Sequence, residues 1–270
     1  MRRSARPSVL PSALTAGVLD EVLGRATPAV FLDYDGVLAE IVADPAAAVL
    51  APGRRAVVAR LAARCCVAVV SGRDLRDVRD LVGLDGLVYA GSHGFDLDLH
   101  GAPAPDLGAE AYLPALDDAE RTLTRVLGPV PGAWVERKRF AVAVHLRQVA
   151  AVDRGRVEGV VDAVAARNPK LRRTTGKQVR ELRPDLDWDK GRAVLWLLGA
   201  LGLDRDDVVA LYLGDDETDE DAFRALAERG RGVGILVGAH SGRTAAPYGL
   251  RDPDDVQAFL TALADRLDPV

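Results

Sequence analysis

The 270-residue sequence predicts an α/β protein, a doubly wound, mostly parallel Rossmann-like core with an inserted α/β cap domain. Three observations carry this reading. Short apolar runs end abruptly in acids, serine or glycine; segments of helical period lie between them; and one mid-chain stretch changes to strand-like alternation.

The first apolar run, Ala29-Val30-Phe31-Leu32, stops at Asp33-Tyr34-Asp35-Gly36, as expected of a buried parallel strand that delivers polar groups at its carboxyl end. Val67 to Val70 repeats the pattern before Ser71-Gly72-Arg73, and Val208 to Leu213 before Gly214-Asp215-Asp216. Helix-period segments run from Arg54 to Arg64, Leu75 to Val82 and Thr218 to Arg229. Gly232 to Val237 reads as a further core strand and Val256 to Leu267 as a closing helix. Ligands of such a sheet bind in the crevice beyond the carboxyl ends of its strands.

From about Leu107 to Arg183 the rhythm breaks. A helix through Leu116, Leu123 and Val126 precedes strand-like Trp134 to Lys138 and Phe140 to Arg147; a helix over Gly155 to Ala166 and a strand near Gln178 to Leu182 follow. The expected division is a tail and short helix over 1–25, a catalytic core over 26–106 and 184–270, and a cap over 107–183, with junctions near Gly101 to Pro105 and near Pro184.

Composition narrows the class. Apolar residues at 49% and charged residues at 28% describe a globular protein rather than a disordered or membrane one. A net charge of -5 without clustered Lys and Arg argues against a nucleic-acid partner. The N-terminus builds no apolar stretch of signal-peptide type, and no segment is long and apolar enough for a bilayer, so a cytoplasmic protein is expected. Adjacent Cys65 and Cys66 read as buried, reduced thiols.

The acids then suggest a chemistry. Asp33 and Asp35 flank one residue at a strand end, so both carboxyl groups can reach a single phosphorus atom, one to attack and one to shuttle a proton. Carboxylates beside an anionic phosphoryl group need a hard cation, and Mg2+, with Asp33 and Asp215 as oxygen ligands, fits. Ser71 can donate to a phosphate oxygen, and Lys190 at a helix start can bring a fixed positive charge. Asp219 is expected as a supporting acid. Glu136 and Lys138, two apart on a strand, project from one face and offer a sugar hydroxyl an acceptor and a donor. Arg73 can reach substrate or pair with an acid; His93, His145, Arg147 and Asp216 receive no role, and the histidines stay outside the catalytic set.

These residues resemble the haloacid dehalogenase-type phosphatase superfamily, matched by Asp33-Tyr34-Asp35-Gly36-Val37-Leu38, Ser71-Gly72-Arg73, Lys190-Gly191 and Gly214-Asp215-Asp216 with Asp219. Within it the chain is similar to the trehalose-6-phosphate phosphatases over nearly its whole length, through Gly91-Ser92-His93-Gly94, Val135-Glu136-Arg137-Lys138, Gly176-Lys177, Glu181-Leu182-Arg183-Pro184 and Gly214 to Glu220. Val37 departs from the Thr usual there. The resemblance implies that Asp33 forms an aspartyl-phosphate and Asp35 acts as acid and base. Ser71 and Lys190 would hold the phosphoryl group, and Asp33, Asp215 and the Asp35 carbonyl the Mg2+. It further implies that Glu136, Lys138 and Glu181 grip the sugar that does not carry the phosphate, with Arg73 kept as a candidate substrate contact. The expected activity is hydrolysis of trehalose 6-phosphate by a monomer with a small-molecule partner. Alternatives are the phosphate of another disaccharide, a pseudodisaccharide or a glycosyl-glycerate, or a non-catalytic sugar-phosphate-binding regulator.

Overall fold

The computed structural model describes residues 10–15, 19–20, 24, 26–42, 47–99, 104–176, 178–239 and 243–268. Most of the expected 1–25 tail and helix, residues 101–103 of the first junction, and Lys177 lie outside the described residues. The elements run β1 (Thr27–Leu32), α1 (Pro52–Ala62), β2 (Cys66–Val70), α2 (Leu75–Val82), β3 (Val88–Gly91) and β4 (Asp96–Asp98). Next come α3 (Leu113–Leu127), β5 (Trp134–Lys138), β6 (Ala141–His145), α4 (Ala151–Arg167), β7 (Leu171–Gly176) and β8 (Val179–Pro184). The chain closes with α5 (Lys190–Ala200), β9 (Val208–Gly214), α6 (Asp219–Arg229), β10 (Gly232–Val237), β11 (Tyr248–Leu250) and α7 (Pro253–Leu267).

A seven-stranded sheet has the order β11-β10-β9-β1-β2-β3-β4 and is parallel except where β4 returns against β3. Its strands bury both faces. On β1, Val30 and Leu32 enter a core with Leu61 of α1 and Phe259 and Leu263 of α7. Ala29 and Phe31 point the other way, toward Leu197 of α5 and Phe223 of α6. This two-sided burial explains why the strands read as continuous apolar runs. The doubly wound, mostly parallel class expected from the sequence is therefore what the chain adopts.

Residues 134–184 form a second, antiparallel sheet of order β5-β6-β8-β7. One face carries Val142, Val144, Leu182 and Leu171 into a core with Leu116 and Leu123 of α3 and Val157 and Val161 of α4. The other face turns toward the carboxyl ends of the parallel sheet. Two sequence expectations change here. Strand β7, Leu171-Arg172-Arg173-Thr174-Thr175-Gly176, went unread because its consecutive polar residues hide the alternation. Cys65 and Cys66 are free, as expected, but only half-buried, since they sit where the chain leaves α1 to enter β2. Among the described residues no helix is long and apolar enough to cross a membrane.

Leu182 is fully buried at the centre of the second sheet's core. Leu182→Ala should lower stability by about 2–5 kcal/mol, read as an earlier urea-unfolding midpoint, because the cavity loses both apolar transfer and packing contacts.

Candidate active site

Parallel pairing fixes the floor of the site. Leu32 lies opposite Leu213 and Val69, so Asp33, Ser71 and Asp215 leave adjacent strands β1, β2 and β9 at the same edge. The Asp33 N–H still donates to the Leu213 carbonyl at 2.9 Å, which anchors the first residue past the strand. The chain then folds back over Tyr34 to Ala39, where Leu38 and Ala39 N–H groups both donate to the Tyr34 carbonyl. Gly36 makes this turn at φ 79°, and a Cβ there would stand 2.3 Å from Asp215 Oδ2. Only glycine lets the first loop close on the third acid.

Lys190, at the start of α5, is 2% exposed. Its Nζ donates to Asp33 Oδ2 at 3.0 Å and to Asp219 Oδ1 at 2.7 Å. Burial alone lowers the Lys190 pKa, but Asp219 and Asp33 outweigh it and hold the ammonium well above its ordinary value. Asp219 is fully occupied. Its Oδ1 also accepts the Tyr212 hydroxyl at 2.7 Å, and its Oδ2 accepts the N–H groups of Asp215 and Asp216 at 2.8 and 3.0 Å. It therefore positions Lys190 and the loop after β9 rather than facing a ligand. Asp216 accepts from the Thr218 N–H and hydroxyl, which closes the same loop.

Asp33, Asp215 and Asp219 place carboxylate oxygens within 4.8 Å of one another, all buried, with the one ammonium of Lys190 bonded among them. Burial, then the neighbouring acids, push the Asp33 carboxyl well above its ordinary value despite Lys190. An excess of hard oxygen donors in a buried, negatively charged place fits a divalent hard cation such as Mg2+.

Asp35 is held differently. Arg73 grips it with Nε to Oδ2 and Nη2 to Oδ1, each at 2.7 Å, while its Nη1 donates to Asp77 at 2.9 Å. The guanidinium also lies 5.3 Å from the Tyr34 ring centroid. Of the two roles open to Arg73 in the sequence, this geometry displays the pairing with an acid.

The antiparallel sheet supplies the opposite wall. Lys138 Nζ donates to Glu181 Oε1 at 2.7 Å and to the Gly72 carbonyl at 3.0 Å, so it ties β5 to the loop after β2. Glu181 Oε2 meets His93 Nε2 at 3.0 Å. Burial raises the Glu181 carboxyl, but Lys138, His93 and Arg183 more than reverse this and hold it well below the ordinary range. Glu136 pairs instead with His145 Nε2 at 2.8 Å.

His93 is the residue that the sequence reading set aside and the structure brings to the centre. Ser92 and His93 both take left-handed backbone, at φ 49° and 59°, a conformation that costs a non-glycine residue energy. The His93 N–H donates to the Ser71 carbonyl at 2.9 Å, and its ring lies so close to Gly72 that a Cβ there would stand 2.7 Å from Cε1. The Gly-Ser-His-Gly run was the only sequence signal. The acids, Ser71 and Lys190, together with Arg73, Glu136, Lys138 and Glu181, line a single cavity of about 500 Å³, within the usual range for small-molecule sites. Asp219 supports it from below.

The sequence matches the trehalose-phosphatase family over residues 31–254. It is 48% identical over 268 residues to a trehalose-phosphate phosphatase of Mycobacterium bovis, covering 97% of this chain and 68% of that one. A trehalose-phosphate phosphatase of Mycobacterium avium is 47% identical over 273 residues, covering 97% and 69%. The fold matches the C-terminal domain of a Candida albicans trehalose-6-phosphate phosphatase with TM-score 0.80 and 25% identity, over 96% of this chain and 100% of that one.

Burial, then the Arg183 charge, lower the His93 pKa from 6.5 to about 3. Between those values the unfolded chain binds a proton that the folded chain refuses, so stability falls as pH drops through this window. Glu181, depressed in the fold, acts in the same direction below its ordinary value. His93→Gln keeps a neutral amide against Glu181 and should flatten the decline. Urea midpoints between about pH 7 and pH 5 should fall more steeply in the unmodified protein, and equal slopes would refute this account.

Proposed function

The chain belongs to the trehalose-phosphatase family, and from that premise we propose the route by which it removes phosphate from trehalose 6-phosphate. The observation that carries it is the buried Lys190 ammonium bonded to Asp33 at the floor of a cavity whose far wall bears paired charges on a sheet.

An oxygen of Asp33 attacks phosphorus in line with the ester bond, and the bond from phosphorus to the sugar O6 breaks. Asp35 supplies the proton that the departing alkoxide takes up, which requires it to leave the Arg73 clasp. Asp35 then accepts a proton from water, the water oxygen attacks the aspartyl-phosphate, and inorganic phosphate leaves with Asp33 regenerated. Lys190 and the Ser71 hydroxyl neutralise and orient the phosphoryl oxygens. Asp33 and Asp215, from the cluster of buried acids, and the Asp35 carbonyl implied by the family resemblance are the groups that would hold Mg2+, which when bound supplies further neutralisation of phosphoryl charge. The segment 107–183 acts as a cap that presents Glu136, Lys138 and Glu181 to the sugar and keeps bulk water from the aspartyl ester.

Inorganic phosphate release from trehalose 6-phosphate, glucose 6-phosphate and sucrose 6-phosphate tests the reading. The expected result is release mainly from trehalose 6-phosphate, abolished by EDTA, restored by Mg2+, and lowered by about a thousandfold or more in Asp33→Asn. Undiminished turnover in Asp33→Asn would remove the covalent route; undiminished turnover in EDTA would remove the metal.

A further inference from the structure

The face that the antiparallel sheet turns to the cavity is graded in polarity along its strands. Register places side chains in rows across it, because residues two apart on a strand share a face. Nearest the Gly72 carbonyl lies the row Lys138, Ala141, Arg183, Arg172. Next comes Glu136, Ala143, Glu181, Thr174. The third row, Trp134, His145, Val179, Gly176, carries no carboxylate, ammonium or guanidinium. Successive rows lie about 7 Å apart, so the third is about 14 Å along the strands from the first.

In this third row the Trp134 indole stacks on the His145 ring, with centroids 4.4 Å apart and planes 21° from parallel. His145 is fixed in turn by its hydrogen bond to Glu136. Trp134 remains 49% exposed although it lines the cavity. Across the mouth stand Ile41, itself 43% exposed, and Val42, whose carbonyl accepts from Arg147. A large, rigid, exposed aromatic face inside a cavity whose inner rows are charged needs an apolar ligand surface to cover it.

A glucopyranose ring has that surface. Its hydroxyls point outward around the rim, and its C–H groups leave an apolar face that an indole can cover, while rim hydroxyls reach a carboxylate beside the ring. We propose that Trp134, backed by His145, is the platform on which the glucosyl ring remote from the phosphoryl group rests, and that this contact sets the preference for a disaccharide over a hexose phosphate. The proposal rests on the hydrolysis of trehalose 6-phosphate and adds to Glu136, Lys138 and Glu181 a contact that discriminates by ring number. A hexose phosphate seated on Lys190 ends within the charged rows, so its binding gains nothing from the platform.

Steady-state kinetics of Trp134→Ala and Trp134→Phe test this. Trp134→Ala should raise KM for trehalose 6-phosphate about tenfold, equivalent to about 1.4 kcal/mol, while kcat changes by less than about twofold. Trp134→Phe should recover most of the affinity, and turnover of glucose 6-phosphate should fall by less than about twofold in either variant. Intrinsic fluorescence gives a second readout. Trehalose should shift the emission of the unmodified protein and not that of Trp134→Phe, since Trp188 is buried, Trp196 is half-buried against the core, and neither lines the cavity. An unchanged KM in Trp134→Ala, with the unmodified protein active on trehalose 6-phosphate, overturns the platform alone. An unmodified protein that does not hydrolyse trehalose 6-phosphate overturns the underlying reading and the platform with it.

Discussion

A buried ammonium bonded to two buried carboxylates is the interaction on which the rest of this structure depends. Lys190 contributes one charge, and Asp33 and Asp219 contribute two, in a place where solvent does not screen them. Removing Lys190 would strand two carboxylates away from water, which costs several kcal/mol. Each partner therefore constrains an element: Asp33 the end of β1, Lys190 the start of α5, Asp219 the start of α6. Asp219 extends the constraint by accepting from the backbone after β9 and from Tyr212 within it. The parallel sheet brings these chain segments side by side, and the ion network fixes their side chains to within hydrogen-bond geometry.

The same electrostatics link the two sheets. Glu181 is buried and meets Lys138, His93 and Arg183, and Lys138 reaches the Gly72 carbonyl next to Ser71. A group that would receive sugar hydroxyls is thus bonded to the loop that would receive phosphate. The left-handed backbone at Ser92 and His93 makes sense in this setting, because it turns the imidazole under Gly72 and onto Glu181. Strain in that turn is offset by the hydrogen bonds it completes, from the His93 ring to Glu181 and from the His93 N–H to the Ser71 carbonyl.

Much of this was legible in the sequence, for reasons that can be stated. Ala29 to Leu32 and Val208 to Leu213 read as buried strands because both faces of each are covered, leaving no polar alternation to confuse the pattern. Asp33, Ser71 and Asp215 stood out because each interrupts such a run at the sheet edge where ligands bind. Strand β7 was illegible because Arg172, Arg173, Thr174 and Thr175 are all polar, and its burial comes from a neighbour, β8, that lies beside it only after folding. His93 was missed because nothing local distinguishes a structural histidine from one placed by an unusual backbone turn, and its partner Glu181 is far away in sequence. The pairing of Arg73 with Asp35 was open for the same reason: spacing cannot choose between a ligand and a nearby acid.

The graded wall divides two physical tasks. A phosphoryl group is recognised by charge wherever it occurs, so Lys190 and the acids beneath it would serve any phosphate monoester reaching Asp33. Charge cannot count sugar rings. A neutral ring can be selected only by shape and by exclusion of water from an apolar face, which Trp134 and Ile41 present at the mouth and the inner rows do not. Contact so far from the reacting bond stabilises ground state and transition state alike unless it also brings Glu136 and Lys138 into register with the floor. His145 bonds Glu136, whereas Lys138 bonds Glu181 and the Gly72 carbonyl, so the two sets of contacts stay separate and the outermost row contributes to binding while the floor sets turnover.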